Sequence, residues 1–197
     1  MKPGRRNTFT FGGSNTNCID RHNTASPNNG SIMYAKRVLP LALLHAAGGH
    51  IEGKTRFQKL TFIADQRLEE IGIDPYEFIP YDYGPFSKDL YEVLEYLEEE
   101  GLIEINEKRT YGGDTRYDYH LSSYGRKNCD QNFPDLDDNS TTRIGQRKQK
   151  HEEKEDLWDL YEIATGVVDE YNSMPISNLI DEVYDEYPEY AENSVLN

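Results

Sequence analysis

The sequence holds five histidines and two cysteines, the residue types from which a metal or nucleophilic centre is most often built. A zinc site shows itself in sequence as ligands in close pairs, such as two histidines one helical turn apart or a Cys-x-x-Cys step. His45, His50, His120 and His151 have no such partner, and His22 near Cys18 completes no pattern. Cys18 and Cys129 lie in polar stretches and are expected to be free thiols in a reducing cytosol. Ser87 has no base expected beside it and is more simply explained as a helix N-cap. No glycine-rich phosphate loop follows a strand. These residues point to no metal, no cofactor and no catalytic constellation.

Two other groups have types and spacing suited to binding. Tyr81-Asp82-Tyr83-Gly84-Pro85 combines rigid rings, a carboxylate and turn-forming residues. It reads either as a stiff turn whose tyrosines pack on the core or as a recognition surface, because tyrosine offers contact area at low entropic cost. Tyr81, Asp82, Tyr83 and Pro85 are therefore the candidate partner-binding residues. Lys54, Arg56 and Lys59, with Lys108, Arg109 and Arg116 farther on, are the candidates for phosphate contact, or else ordinary solvated charge.

The elements that must position these groups follow from periodicity. Residues 1–30 are polar, with Gly12, Gly13, Asn28, Asn29 and Gly30 and no apolar face, and are expected to be a disordered tail. The folded core should begin near Ser31, and Met33 stands where such a domain, and even the true start of the chain, would fall. Val38, Leu39 and Leu41–Leu44 make the next stretch a buried helix, in which Pro40 forms a kink or the first turn. Gly48-Gly49 ends it.

Thr55-x-x-Gln58 has the spacing of a capping box, and Phe57, Leu60, Ala64 and Leu68 mark a second helix that stops at Gly72. After a Tyr- and Pro-rich connector, Ser87 opens a third helix with Leu90, Leu94 and Leu97 on its apolar face, closed by Gly101-Leu102. Ile103 and Ile105 alternate on one strand and Tyr117, Tyr119 and Leu121 on the next, with Tyr111-Gly112-Gly113-Asp114 as the turn. Residues 126–150 read as a polar linker. Two amphipathic helices, one through Leu157, Leu160, Tyr161, Ala164 and Val168 and one through Ile176, Leu179, Ile180 and Val183, make up a C-terminal segment over 151–197 that packs on the core.

Helix, helix, helix, hairpin is the order of a winged helix. The fold class is therefore mainly α (α+β), a winged-helix-like domain over 31–125 with two C-terminal helices. Leu121-Ser122-Ser123-Tyr124-Gly125 resembles the strand end that leads, in many winged-helix regulators, into a closing helix.

Charge narrows the function. The formal net charge is -15, which repels phosphate backbones at long range. The third helix is the usual reading element of this architecture, yet it carries Asp89, Glu92, Glu95, Glu98, Glu99 and Glu100. Base readout by that helix is disfavoured; a DNA-binding regulator would have to use the second helix and the wing. The same charge is what a protein adapted to high salt carries, where screening weakens the repulsion. No apolar run approaches the length that spans a bilayer.

The segments KTRFQKLTFIADQ (Lys54–Gln66) and YDYGPFSKDLYEVLEYLEEEGLIE (Tyr81–Glu104), with MPISNLIDEVYDEYPEYAENS (Met174–Ser194), resemble the YwgA-like proteins, a group without a characterised activity. More distantly, the pairing of a Gln-Lys-Leu helix with a Tyr-Gly-Pro segment is similar to the SocA-like antitoxin (Panacea) domain. The resemblance covers Ser31–Gly125 and Leu157–Val195. It implies an antitoxin-like regulatory module that acts by binding a protein. The winged-helix order leaves DNA as the alternative partner, and a second copy of the chain is a further candidate.

Overall fold

The computed structural model describes residues 29–110, 112–133 and 152–195. The greater part of the expected tail and linker, Cys18, His22, Tyr111 and His151 lie outside them.

The chain is mainly helical with a small antiparallel sheet. α1 (Asn29–Ala46) leads to a three-residue strand β1 (His50–Glu52) and to α2 (Lys54–Glu69). A hairpin of β2 (Ile79–Tyr81) and β3 (Gly84–Phe86) precedes α3 (Lys88–Glu99). The long hairpin β4 (Ile103–Arg109) and β5 (Thr115–Leu121) then runs into α4 (Ser123–Asn132). α5 (Glu152–Tyr171), α6 (Ile176–Glu186) and a single 3-10 turn at Pro188–Ala191 close the chain. No helix among the described residues is long and apolar enough to cross a membrane.

The core forms around α1. Val38, Leu39, Leu41, Ala42, Leu43 and Leu44 have no exposed surface, as an all-round apolar helix requires. α2, α3, α4 and α5 pack around it, and α5 also lies against α2, so the C-terminal helices share one core with the rest. α3 ends in the expected Schellman geometry. Gly101, at φ 71, is followed by Leu102, whose N–H reaches the Leu97 carbonyl at 2.9 Å.

β1 lies on the outer side of β5, giving the strand order β1-β5-β4. The register pairs His50 with His120, Glu52 with Asp118, and Ile103 with Leu121. Ile51 and Tyr119 turn into the core, so His50, Glu52, Asp118 and His120 share the opposite face.

Several expectations are corrected. Pro40 sits well inside α1 rather than in its first turn. α1 starts before Ser31, at Asn29. The capping box does not form: α2 starts after Gly53, which places Thr55 inside the first turn, and Gln58 is buried with another partner. The connector contains a second hairpin. The stretch read as linker from residue 126 is helical to Asn132, and Cys129 is buried within that helix rather than in a loose segment. Burial pushes its thiol up to about 12. α4 follows β5 directly, and the Leu-Ser-Ser-Tyr-Gly stretch runs across that junction. The Ser122 side chain caps it by accepting from the Gly125 N–H at 2.9 Å.

Candidate interaction surface

β2 and β3 pair Ile79 with Phe86, Pro80 with Pro85 and Tyr81 with Gly84, leaving Asp82-Tyr83 as a two-residue turn. Strand alternation then sorts the side chains. Pro85 faces inward and is buried, while Ile79, Tyr81 and Phe86 share the outer face. Ile79 is 49% exposed, Tyr81 50% and Tyr83 48%, and Asp82 is exposed beside them. The Tyr81 ring lies 5.0 Å from Phe86, and Phe86 lies 5.6 Å from Tyr91 on α3, so the aromatic surface continues from the hairpin onto that helix. Of the four candidates, Tyr81, Asp82 and Tyr83 are presented to solvent. Pro85 is not; its place is structural.

The hairpin is locked from below by α2. Lys59 is 2% exposed, and its ammonium donates to the Pro85 carbonyl at 2.9 Å. Burial lowers its pKa to about 7. The neighbouring Gln58 makes a two-way bridge to Ser87: its Nε2 donates to the Ser87 carbonyl at 2.9 Å, and its Oε1 accepts from the Ser87 N–H at 3.0 Å. Ser87 does precede α3 as its N-cap, but its hydroxyl makes no capping bond. Gly84, at φ 88, has no room for a side chain, because a Cβ would lie 2.7 Å from the Tyr184 ring. The Gln-Lys pair and the Tyr-Gly-Pro segment, separate in sequence, are thus two halves of one joint.

The C-terminal segment holds the other edge. The Val195 N–H donates to the Asp82 carbonyl at 2.9 Å, and the Asn193 amide donates to the Pro80 carbonyl at 3.3 Å. Beneath them Phe62 meets Phe78, Tyr187 and Tyr190 edge-on at centroid distances of 5.1, 4.9 and 4.8 Å. Tyr161 and Tyr171 are buried as well, so much of the C-terminal tyrosine content is packing.

The basic candidates do not assemble into one face. Lys59 is consumed by the joint. Arg56 donates to the Asn172 carbonyl at 2.8 Å, beyond the end of α5. The Lys54 ammonium lies 3.7 Å from the centroid of the Tyr117 ring. Lys108 reaches Asp118 at 2.7 Å, and Arg116 reaches both Glu52 at 3.2 Å and Asp118 at 2.9 Å. Arg109 stands exposed, its side chain without an ion pair or hydrogen bond to the described residues.

The outer face of the sheet holds a cluster that linear spacing could not show. One ligand atom each from His50, Glu52 and Asp118 lies within 4.8 Å of the others. His50 stacks on His120 at 4.2 Å. Burial alone would raise the Asp118 carboxyl; hydrogen bonds from Lys108 and Arg116 outweigh it and hold the group below its ordinary value. His45, by contrast, is fully engaged, with Tyr161 at 2.8 Å on one ring nitrogen and Asp130 at 2.9 Å on the other.

Compared with protein-family models and with curated proteins, the chain has no match in either.

Proposed function

We propose that this chain is a non-enzymatic regulatory module on a winged-helix core, and that it binds a protein partner through the β2–β3 hairpin. The carrying observation is the contrast between the two faces of that hairpin. One is fixed by a buried lysine and a two-way glutamine bridge; the other offers Ile79, Tyr81 and Tyr83 to solvent. Exposed apolar and aromatic side chains on a rigid support are what a binding hot spot needs, since little entropy is left to lose.

The order α1-β1-α2-α3-β4-β5, interrupted between α2 and α3 by the β2–β3 hairpin and with β1 beside β5, supports the winged-helix reading. The segments that resemble the YwgA-like and antitoxin (Panacea) proteins are the ones joined at Lys59 and Pro85, which favours a shared scaffold and an antitoxin-like role. The DNA alternative has less support. Lys54, Arg56, Lys59, Lys108 and Arg116 all have partners within the fold, and the exposed side of α3 is acidic.

The test compares wild type with the Tyr81→Ser/Tyr83→Ser variant in nuclease-treated pull-downs from the native host, beside gel shifts on genomic fragments at low and molar salt. A stoichiometric protein recovered by wild type and lost by the folded variant is the expected result. A sequence-selective shift that Arg109→Gln abolishes, with no protein recovered, would replace this reading with the DNA one.

A further inference from the structure

We infer that the protein partner docks through a basic segment, in which arginine or lysine flanks an apolar or aromatic anchor. The segment lies across the outer face of the β2–β3 hairpin and the acidic flank formed by α6 and the 3-10 turn. This rests on the hairpin reading above and adds the chemistry of the partner.

The flank and the hairpin are one surface. The Tyr184 ring of α6 stands against Gly84, where a Cβ would meet it at 2.7 Å. The 3-10 turn lies against β2, and beyond it Asn193 and Val195 donate to the carbonyls of Pro80 and Asp82. Residues 155–197 contain neither lysine nor arginine. Asp181, Asp185, Glu189 and Glu192 are all exposed on this flank, as is Asp82 on the hairpin turn. None of them is ion-paired among the described residues. The cations nearest the hairpin are already engaged. Lys88 meets Glu92 at 2.9 Å, and Lys54, 5.4 Å from the Tyr91 ring, lies closer to Tyr117 at 3.7 Å.

A field of one sign beside an exposed apolar face selects among macromolecules. It repels nucleic-acid phosphates and anionic lipid, and it steers a basic protein segment towards the hairpin. Ile79, Tyr81 and Phe86 offer the anchor its apolar contact, and the free carboxylates can accept from guanidinium or ammonium groups. The tyrosines suit cations as well. This chain already sets Arg37 over Tyr96 at 4.5 Å and Lys54 over Tyr117, whereas Tyr81 and Tyr83 carry no cation among the described residues. Charge alone would hold any polycation loosely; the apolar anchor is what confines the segment to the hairpin.

The experiment pans the full chain against a displayed library of random peptides at low salt, then titrates the recovered peptides by fluorescence anisotropy. Circular dichroism confirms that each variant is folded. The recovered peptides should combine arginine or lysine with aromatic or aliphatic residues and bind more weakly as KCl rises. Tyr81→Ser/Tyr83→Ser should weaken them by about 30-fold. Asp185→Lys/Glu189→Lys should weaken them by about 10-fold or more. Glu99→Lys/Glu104→Lys makes the same change of charge at the end of α3 and on β4, and should leave binding nearly unchanged. Acidic or neutral peptides that need Tyr81 and Tyr83 overturn the basic partner and leave the hairpin reading intact. Basic peptides that bind the serine variant as tightly as wild type, or that lose as much from Glu99→Lys/Glu104→Lys, also overturn it, because charge alone then holds them. A library that yields no binder overturns it too, and the hairpin reading then stands or falls on the pull-down.

Discussion

The hydroxyl of Tyr76 donates to the backbone carbonyl of Lys36, the carbonyl that Pro40 leaves without its helical partner. Proline has no N–H, so a proline inside a helix strands the carbonyl four residues earlier. Here a buried side chain from the loop after α2 fills the vacancy, which is how α1 carries a proline at the centre of the core.

Tyr76→Phe should therefore cost about 1–3 kcal/mol, the range for leaving one buried polar group unpaired. Pro40→Ala restores a donor to the Lys36 carbonyl, so in that background Tyr76→Phe should cost clearly less. Chemical denaturation of the two single variants and the double variant measures the coupling. Equal costs in both backgrounds would show that the carbonyl is not what Tyr76 serves.

Two buried charges on α2 set opposing pH dependences. Burial raises the Asp65 carboxyl from 3.8 to about 8, even though it accepts from the Tyr76 N–H at 3.1 Å. A raised acid stabilises fully below its unfolded value, and that contribution is lost as pH climbs from about 4 through about 8. Lys59, lowered from 10.5 to about 7, works in reverse. Its burial penalty is complete below about 7 and is relieved as pH rises towards 10.5. Asp65→Asn should gain stability relative to wild type between pH 4 and 8 and run parallel to it above. Lys59→Met should have its advantage below pH 7 and lose it above. Urea midpoints across pH 4–10 test both; differences that do not vary with pH would mean that neither group is perturbed.

How much of this could be read in the sequence depended on the reach of each signal. α1, α2, α3, α5, α6 and the long hairpin announce themselves through apolar periodicity and glycine stops, which are local. β1 is three residues long, too short for any period to show. β2 and β3 are equally short and contain Pro80 and Pro85, which usually argue against strands; here they face each other across a two-stranded ribbon. α4 buries only Gly125, Asn128 and Cys129, so its sequence reads as polar linker. The turn at Asp82-Tyr83 was legible because turn chemistry is local too, but whether Tyr81 and Tyr83 pack on the core or face solvent was not; they stand half-exposed. The structural duty of Gln58, Lys59 and Pro85 was not legible either, because it needs residues 26 and 29 positions apart to meet. The His50, Glu52 and Asp118 cluster depends on strand register, which no spacing rule encodes.

Gly84 and Gly125 are both intolerant of a side chain, for different reasons. At Gly84 alanine would meet the Tyr184 ring at 2.7 Å and adopt φ 88, a conformation costing ~1–2 kcal/mol for a side-chain residue. At Gly125 the backbone is helical, but a Cβ would fall 1.9 Å from the Leu102 carbonyl oxygen. A ring can turn aside; the backbone at Leu102, between α3 and β4, cannot. Gly125→Ala should thus be the more damaging change, by about 3 kcal/mol or more, despite alanine's better helix propensity. Adding Tyr184→Ala should recover part of the Gly84→Ala loss and none of the Gly125→Ala loss. Thermal unfolding of the four variants decides it, and a Gly125→Ala protein as stable as wild type would contradict the packing.

The acidic surface of α3 supplies the last prediction. Glu95 and Glu99 are both exposed, one turn apart, and like charges at that spacing repel. Glu98, Glu99 and Glu100 crowd the C-terminal end, where the helix dipole is already negative and the last turn holds no basic residue. Lys88 with Glu92, at 2.9 Å, gives the helix one compensating pair. Glu99→Lys turns a repulsive pair into an attractive one and places a cation at the favourable end, together a gain of about 0.5–1.5 kcal/mol at low ionic strength. Because a net charge of -15 opposes compaction, molar KCl should raise the unfolding midpoint of wild type, and raise that of Glu99→Lys less, since part of the strain is already removed. Differential scanning calorimetry at low and molar KCl reads both effects. A wild-type midpoint that is flat or falls with KCl would show that self-repulsion does not limit this fold.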